Sequence, residues 1–265
     1  MTFADPDEHL IDYQERGQVR IVADVEALAV AAIGLLRAVV LDATGDHRSA
    51  FVALSGGSTP KRMGELLAGP PHVEAIDWAR LQVFWGDERW VPLVDPESNA
   101  GEAKRGFLDH VSVPTDQVHV YDTGLDDPEM AATRYEQIIR STVPARGNLP
   151  CFDLVFLGMG DDGHTASLFP GTPAVRETTC LVAANPVSKL DTTRLTLTPP
   201  LINAARHVVF LVGGASKADM LHKVLDGPEN VDLTPSQIVR PTAGSLVWLI
   251  DSAAAAKLDR ASNGG

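Results

Sequence analysis

Asp162 and His164 stand two residues apart in Gly158-Met159-Gly160-Asp161-Asp162-Gly163-His164, a glycine-rich turn that follows the apolar run Phe152 to Met159. Histidine is the one side chain whose ordinary pKa lies near neutrality, and a neighbouring carboxylate can orient its ring as a general base. The segment also fits a histidine held by backbone hydrogen bonds for structural reasons. Its glycines match G-x-G-x-x-G as well. A dinucleotide fingerprint needs a helix of several turns straight after the third glycine, however, and Pro170 and Pro173 forbid one here. A dinucleotide-dependent dehydrogenase is therefore set aside.

A second segment, Leu54-Ser55-Gly56-Gly57-Ser58-Thr59-Pro60, leads from an apolar run through two glycines and three hydroxyls into a helix with proline in its first turn. Glycines let a backbone approach an anion closely, and a helix N-terminus favours negative charge, so this has the form of a phosphate cradle. An ordinary glycine turn capped by Ser58 or Thr59 has the same form, and the loop alone does not separate the two. The lysine spacing of a triphosphate P-loop is missing, which points to a monoester.

In a third segment, Trp85-Gly86-Asp87-Glu88-Arg89-Trp90-Val91-Pro92, three charged residues crowd the end of an apolar run. Its carboxylates can hold sugar hydroxyls or handle protons, and Arg89 can bind an anion or polarise a carbonyl. A local surface ion pair between Glu88 and Arg89 is the bland alternative. Two further cations, Arg194 and Lys217, stand where they can complete a phosphate site, although taken singly each fits a solvated surface residue.

Other chemistries find less support. Ser55 lacks a G-x-S-x-G elbow. Cys151 and Cys180 form no metal or disulfide pattern, and His9, His47, His72, His110, His119, His207 and His222 are scattered without ligand spacing. No metal site is expected.

The elements that must position these residues can be read from hydropathy. Apolar runs at Val19 to Val22, Ala50 to Leu54, Leu81 to Trp85, Val118 to Tyr121, Phe152 to Met159, Val208 to Gly213 and Leu246 to Ile250 mostly lack alternation, as strands buried on both faces do. Arg194 to Thr198 alternates, and Pro199-Pro200 ends it. Helices are expected from an Asp24 cap to about Leu41, from Pro60 to Gly69, from Ser98 to Asp109, over Pro128 to Val143 and Ser216 to Leu225, and briefly at Ala253 to Arg260. Strands alternating with helices predict one α/β domain with a mostly parallel sheet, with residues 1–18 as an N-terminal arm and 261–265 as a frayed tail.

Composition bounds the partners. The 35 Asp plus Glu against 22 Lys plus Arg leave a net charge of −13, without the clustered cations that nucleic acid requires. The most apolar stretch, Ala27 to Leu36, is too short to span a bilayer, and the acidic start of the chain is unlike a signal peptide. A cytoplasmic protein without membrane contact is expected.

In order and spacing, from about Val19 to Asp251, three motifs together resemble the 6-phosphogluconolactonase family: Ser55-Gly-Gly-Ser-Thr-Pro60, Gly86-Asp-Glu-Arg-Trp-Val-Pro92 with Ser98-Asn99 downstream, and Gly158-x-Gly-x-Asp-Gly-His-Thr-Ala-Ser-Leu-Phe-Pro170. Thr193-Arg194-Leu-Thr196 and the Gly213 to Lys217 segment fall in register with them. The resemblance implies a Rossmann-like, three-layer α/β fold with helices on both faces of the sheet, shared with glucosamine-6-phosphate deaminases. It also implies hydrolysis of 6-phospho-D-glucono-1,5-lactone in the pentose phosphate pathway, without cofactor or metal. On that implication His164, oriented by Asp162, activates water, and Arg89 or backbone N–H groups meet the carbonyl oxygen. The loop Ser55, Gly56, Gly57, Ser58 and Thr59, with Arg194 and Lys217, holds the 6-phosphate, while Asp87 binds hydroxyls or supports the turn. Related deaminases carry Phe-Asn-Glu-Pro after the Asp-Gly-His turn, where this chain has Ser167-Leu168-Phe169-Pro170 and so no acid at the Glu position. A deaminase-like enzyme and a non-catalytic sugar-phosphate-binding regulator are the alternatives. The implied state is a monomer or small homo-oligomer.

Overall fold

The structure, a computed structural model, describes residues 10–260. Strands β1 (Leu10–Asp12) and β2 (Gln18–Val22) lead into helix α1 (Val25–Gly45), which Asp24 caps by accepting the Ala27 N–H at 2.8 Å. Strand β3 (Ala50–Leu54), helix α2 (Ser58–Leu67), strands β4 (Leu81–Trp85) and β5 (Asp87–Arg89) and helix α3 (Asn99–Gly106) follow. Helix α4 (Pro128–Thr142) precedes a small hairpin, β6 (Ala145–Arg146) and β7 (Leu149–Pro150), and then strand β8 (Leu154–Leu157). The chain continues through β9 (Val182–Val187), β10 (Thr192–Leu197), the short helix α5 (Pro199–Ile202), β11 (His207–Val212), α6 (Ala218–Leu225) and β12 (Ser245–Asp251).

Seven strands form the central sheet in the order β1-β2-β12-β11-β8-β3-β4, parallel throughout except for β1 at the edge. Every residue of β3 and β8 is buried, which accounts for their unbroken apolar runs: both sheet faces are covered. Helix α1 packs on the sheet and on α2, while α4 sets Tyr135 against Phe84 and Tyr121.

Neighbours β3 and β8 mark the topological switch point. Beyond β3 lies β4, and beyond β8 lie β11 and β12, so the loops after β3 and β8 diverge and leave a crevice at the carboxyl ends. A second, antiparallel sheet in the order β5-β10-β9 stands over that crevice. Gly86 joins the two sheets, donating its N–H to Leu54 O and accepting that of Leu197, both at 2.8 Å.

Several expectations are corrected. Val118–Tyr121 is no strand: after the Val118–Val83 bridge, the Tyr135 hydroxyl accepts the Trp85 N–H at 2.9 Å and donates to His119 O at 3.1 Å, occupying the groups a ladder would use. Residues 10–18 are not an arm, since β1 pairs antiparallel with β2; residues 1–9 and the expected frayed tail at 261–265 lie outside the described residues. The helix expected from Ser98 to Asp109 stops at Gly106, and a single 3-10 turn, Leu108–His110, completes the segment. Helix α1 runs for 21 residues, long and apolar enough to cross a membrane by length and composition, so its length excludes nothing; in the fold it is a core helix that buries Leu28, Ile33, Leu36 and Val40.

Candidate active site

The Asp162–His164 turn leaves β8 at the switch point. His164 Nδ1 lies 2.5 Å from Asp162 Oδ1, which also accepts the His164 N–H at 3.2 Å. Glycine is required twice in this turn. A Cβ on Gly160 would sit 2.1 Å from His164 Nδ1, and Gly163 takes a φ of +79°. No helix of several turns follows Gly163; the next is a 3-10 turn at Pro173–Arg176, as the prolines require. The imidazole stacks on Phe169 at 4.1 Å between centroids.

Asp162 has a second partner that spacing did not reveal: Lys189, in the turn between β9 and β10, donates Nζ to Asp162 Oδ2 and lies 4.8 Å above the Phe169 ring. Burial works to raise the Asp162 pKa, but hydrogen bonds from His164 and Lys189 outweigh it and hold the carboxyl well below the usual carboxylate range. Asp162 is thus held as the carboxylate, and the tautomer that donates Nδ1–H to it leaves Nε2 as the proton acceptor.

After β4 the three charged residues take separate roles. Asp87 Oδ2 accepts from Ser167 Oγ at 2.7 Å, and Asn99 Nδ2 donates to Asp87 O at 3.0 Å, so Asp87 ties the β4–β5 turn to the His164 turn. Glu88 is buried and accepts from the N–H groups of Arg89, Asn99 and Ala100 and from Ser98 Oγ, at 2.7–3.0 Å. It anchors the α3 N-terminus rather than forming an ion pair with Arg89. Burial pushes its pKa up, with those donors acting in the opposite direction. Arg89 donates Nη1 to Glu97 O and sits opposite Arg194 in the β5–β10 ladder. The Arg194 Nε is buried without a partner, and its pKa is lowered by burial and then by Arg89. Two adjacent guanidiniums, one with an unused donor, suit an anion.

The Ser55–Gly57 loop closes the other side. Gly57 (φ +107°) precedes α2, whose first turn has no side-chain cap, so backbone N–H groups stay available. A Cβ on Gly56 would lie 1.9 Å from Asn99 Oδ1, which makes that glycine a condition of the close packing of loop and α3. The Thr59 side chain is buried and that of Ser58 is exposed, and neither residue lines the cavities described next.

Two adjoining cavities share Asp87, Arg89, His164 and Ala166. One, of about 260 Å³, adds Ser55, Gly56, Gly57 and Lys217; the other, of about 510 Å³, adds Asp162, Lys189 and Arg194. Lys217 donates to Asp161 Oδ1 at 2.6 Å. The family resemblance assigns Arg194 and Lys217 to one phosphate; Arg194 lines one of the adjoining cavities and Lys217 the other, with His164 lining both.

This is a Rossmann-like α/β protein with a His164–Asp162 pair between cation-lined walls at the switch point. The chain belongs to the glucosamine-6-phosphate isomerase/6-phosphogluconolactonase family, whose model matches residues 23–248. It is 39% identical over 242 residues to the 6-phosphogluconolactonase of Synechocystis sp., covering 91% of this chain and 98% of that one. Among solved structures, 6-phosphogluconolactonase from Trypanosoma cruzi superposes with a TM-score of 0.81 at 28% identity, covering 95% of this chain and 99% of that one. A monomeric glucosamine-6-phosphate deaminase superposes at 0.74 with 22% identity over 90% of this chain and 99% of that one, a likeness of fold alone.

Proposed function

We propose that the chain hydrolyses 6-phospho-D-glucono-1,5-lactone to 6-phospho-D-gluconate, the reaction named by its relatives. The observation that carries this is the 2.5 Å His164–Asp162 contact at the junction of two cation-lined cavities. His164 Nε2 takes a proton from water as the water oxygen attacks C1; the tetrahedral adduct then expels the ring oxygen, and Nε2 returns the proton to it. The C1–ring oxygen bond breaks, a C1–oxygen bond forms, and the carboxylic acid product ionises. Arg89 is the side chain available to the developing oxyanion. The Ser55–Gly57 loop, Lys217 and Arg194 anchor the 6-phosphate so that C1 meets the water. Asp87 supports the turn through Ser167.

Phe169 favours this reaction over amino-sugar deamination, because the position where the deaminases carry a proton-transferring Glu is here an aromatic ring stacked on His164. The reading includes a cytoplasmic setting, action as a monomer or small homo-oligomer, and no metal or cofactor. Consumption of freshly made lactone by the purified chain, with the spontaneous rate subtracted, tests it: a lactonase gives an excess rate proportional to enzyme, whereas a regulator that only binds phosphosugars gives none.

A further inference from the structure

Lys189 has no place in the acid–base chemistry described above, yet it is joined to it twice, through Asp162 Oδ2 and over the face of Phe169. We propose that Lys189 is a positioning residue which, by sharing the Asp162 carboxylate with His164, holds that carboxylate against Nδ1 and offsets part of its charge there. This rests on the reading of His164 as the general base.

An unshared carboxylate 2.5 Å from Nδ1 favours the imidazolium, and an imidazolium cannot accept a proton from water. An ammonium on the far oxygen of that carboxylate cancels part of its field and occupies one of its two oxygens. Of the other charges lining the cavities around His164, the carboxylates Asp161 and Asp87 are engaged, whereas Arg89 and Arg194 face each other and the Arg194 Nε has no partner. Asp161 takes Lys217, Asp87 takes Ser167, Arg89 donates to Glu97 O, and Arg194 stands opposite Arg89. Among the described residues, Lys189 is thus the cation placed directly on the dyad. Its backbone position supports the same role: the β9–β10 turn carries it across the crevice from the β8 loop, and Asp191, in the left-handed region at φ +47°, closes that turn. The Asp162 carboxylate is therefore held from two separate elements, and its placement against His164 depends on the β9–β10 turn being in place.

The test is the pH dependence of Lys189→Met and Lys189→Arg beside the parent, read in two ways. In kcat/KM, the acid limb of Lys189→Met should move up by roughly 0.5–1 pH unit, with turnover recovered above it, and Lys189→Arg should restore the parent profile. An NMR titration of the His164 ring in the full chain should show the same displacement without reference to activity. An unmoved His164 titration in Lys189→Met overturns the proposal, as does an unmoved limb with a raised KM, which would make Lys189 a substrate ligand instead. If the ring titration shifts while the kinetic limb does not, the Lys189 inference stands and the assignment of His164 as base fails.

Discussion

Asp162 accepts from His164 with one oxygen and from Lys189 with the other, and His164 borders both cavities, so the proposed base and the proposed phosphate anchors are separable by mutation. Removing the base should slow the chemical step, while removing an anchor should weaken binding of ground and transition states alike. His164→Ala is accordingly expected to lower kcat by about 10²–10⁴-fold with little change in KM. Arg194→Ala should raise KM about tenfold or more and lower kcat far less. Steady-state kinetics of the two variants checks both, and a raised KM with normal kcat in His164→Ala would reverse the assignment. The dyad was legible in the sequence because both members sit on one glycine turn, two residues apart. Lys189 was not, because it reaches Asp162 from 27 residues along the chain and only the β9–β10 turn brings it there. In the sequence Glu88 reads either as a carboxylate for sugar hydroxyls or protons or as half of a surface ion pair with Arg89, and nothing in Asp87-Glu88-Arg89 signals that the middle side chain turns inward to cap α3.

At the level of elements, the site depends on the β3–α2 loop fitting against α3 with no room to spare. Gly56→Ala would place a methyl group against Asn99 Oδ1, and the neighbour is a buried side chain already bonded to Asp87 O. The loop or α3 must then move, so the variant is expected to lose about 1–3 kcal/mol of stability and to bind phosphosugar more weakly. Denaturant unfolding together with KM measures both, and unchanged values would show that the close approach does not matter. Strands β3 and β4 could be read to the residue, because buried parallel strands leave continuous apolar runs bounded by turn residues. Val118–Tyr121 has the same composition and failed as a strand because Tyr135, from the distant α4, takes its hydrogen-bonding groups. Strand β9 was invisible for a different reason: Asn185 and Pro186 interrupt its pattern, and its pairing comes entirely from β10. Local pattern reports burial well, whereas an edge completed by a remote side chain leaves no local mark.

Across the whole molecule, acidic composition coexists with a locally positive crevice, because Arg89, Lys189, Arg194 and Lys217 line its two compartments in a chain of net charge −13. Global stability should depend on pH through His207, which begins β11 beside Ser245 and whose pKa burial lowers to about 4. Between that value and the ordinary value near 6.5, the unfolded chain binds a proton that the folded chain does not. This contribution is complete above pH 6.5 and is lost as the pH falls toward 4, by about 2 kcal/mol after allowing for partial solvation. Unfolding free energies at a series of pH values should show that slope, and His207→Gln should flatten it. Lactone hydrolysis is tested most directly by the rate at which the purified chain consumes freshly generated 6-phosphogluconolactone with chelator present, beside ammonia release from glucosamine-6-phosphate. Lactone loss well above the spontaneous rate and no ammonia are expected; a lactone rate equal to the spontaneous one, or ammonia release, would contradict lactone hydrolysis as the activity.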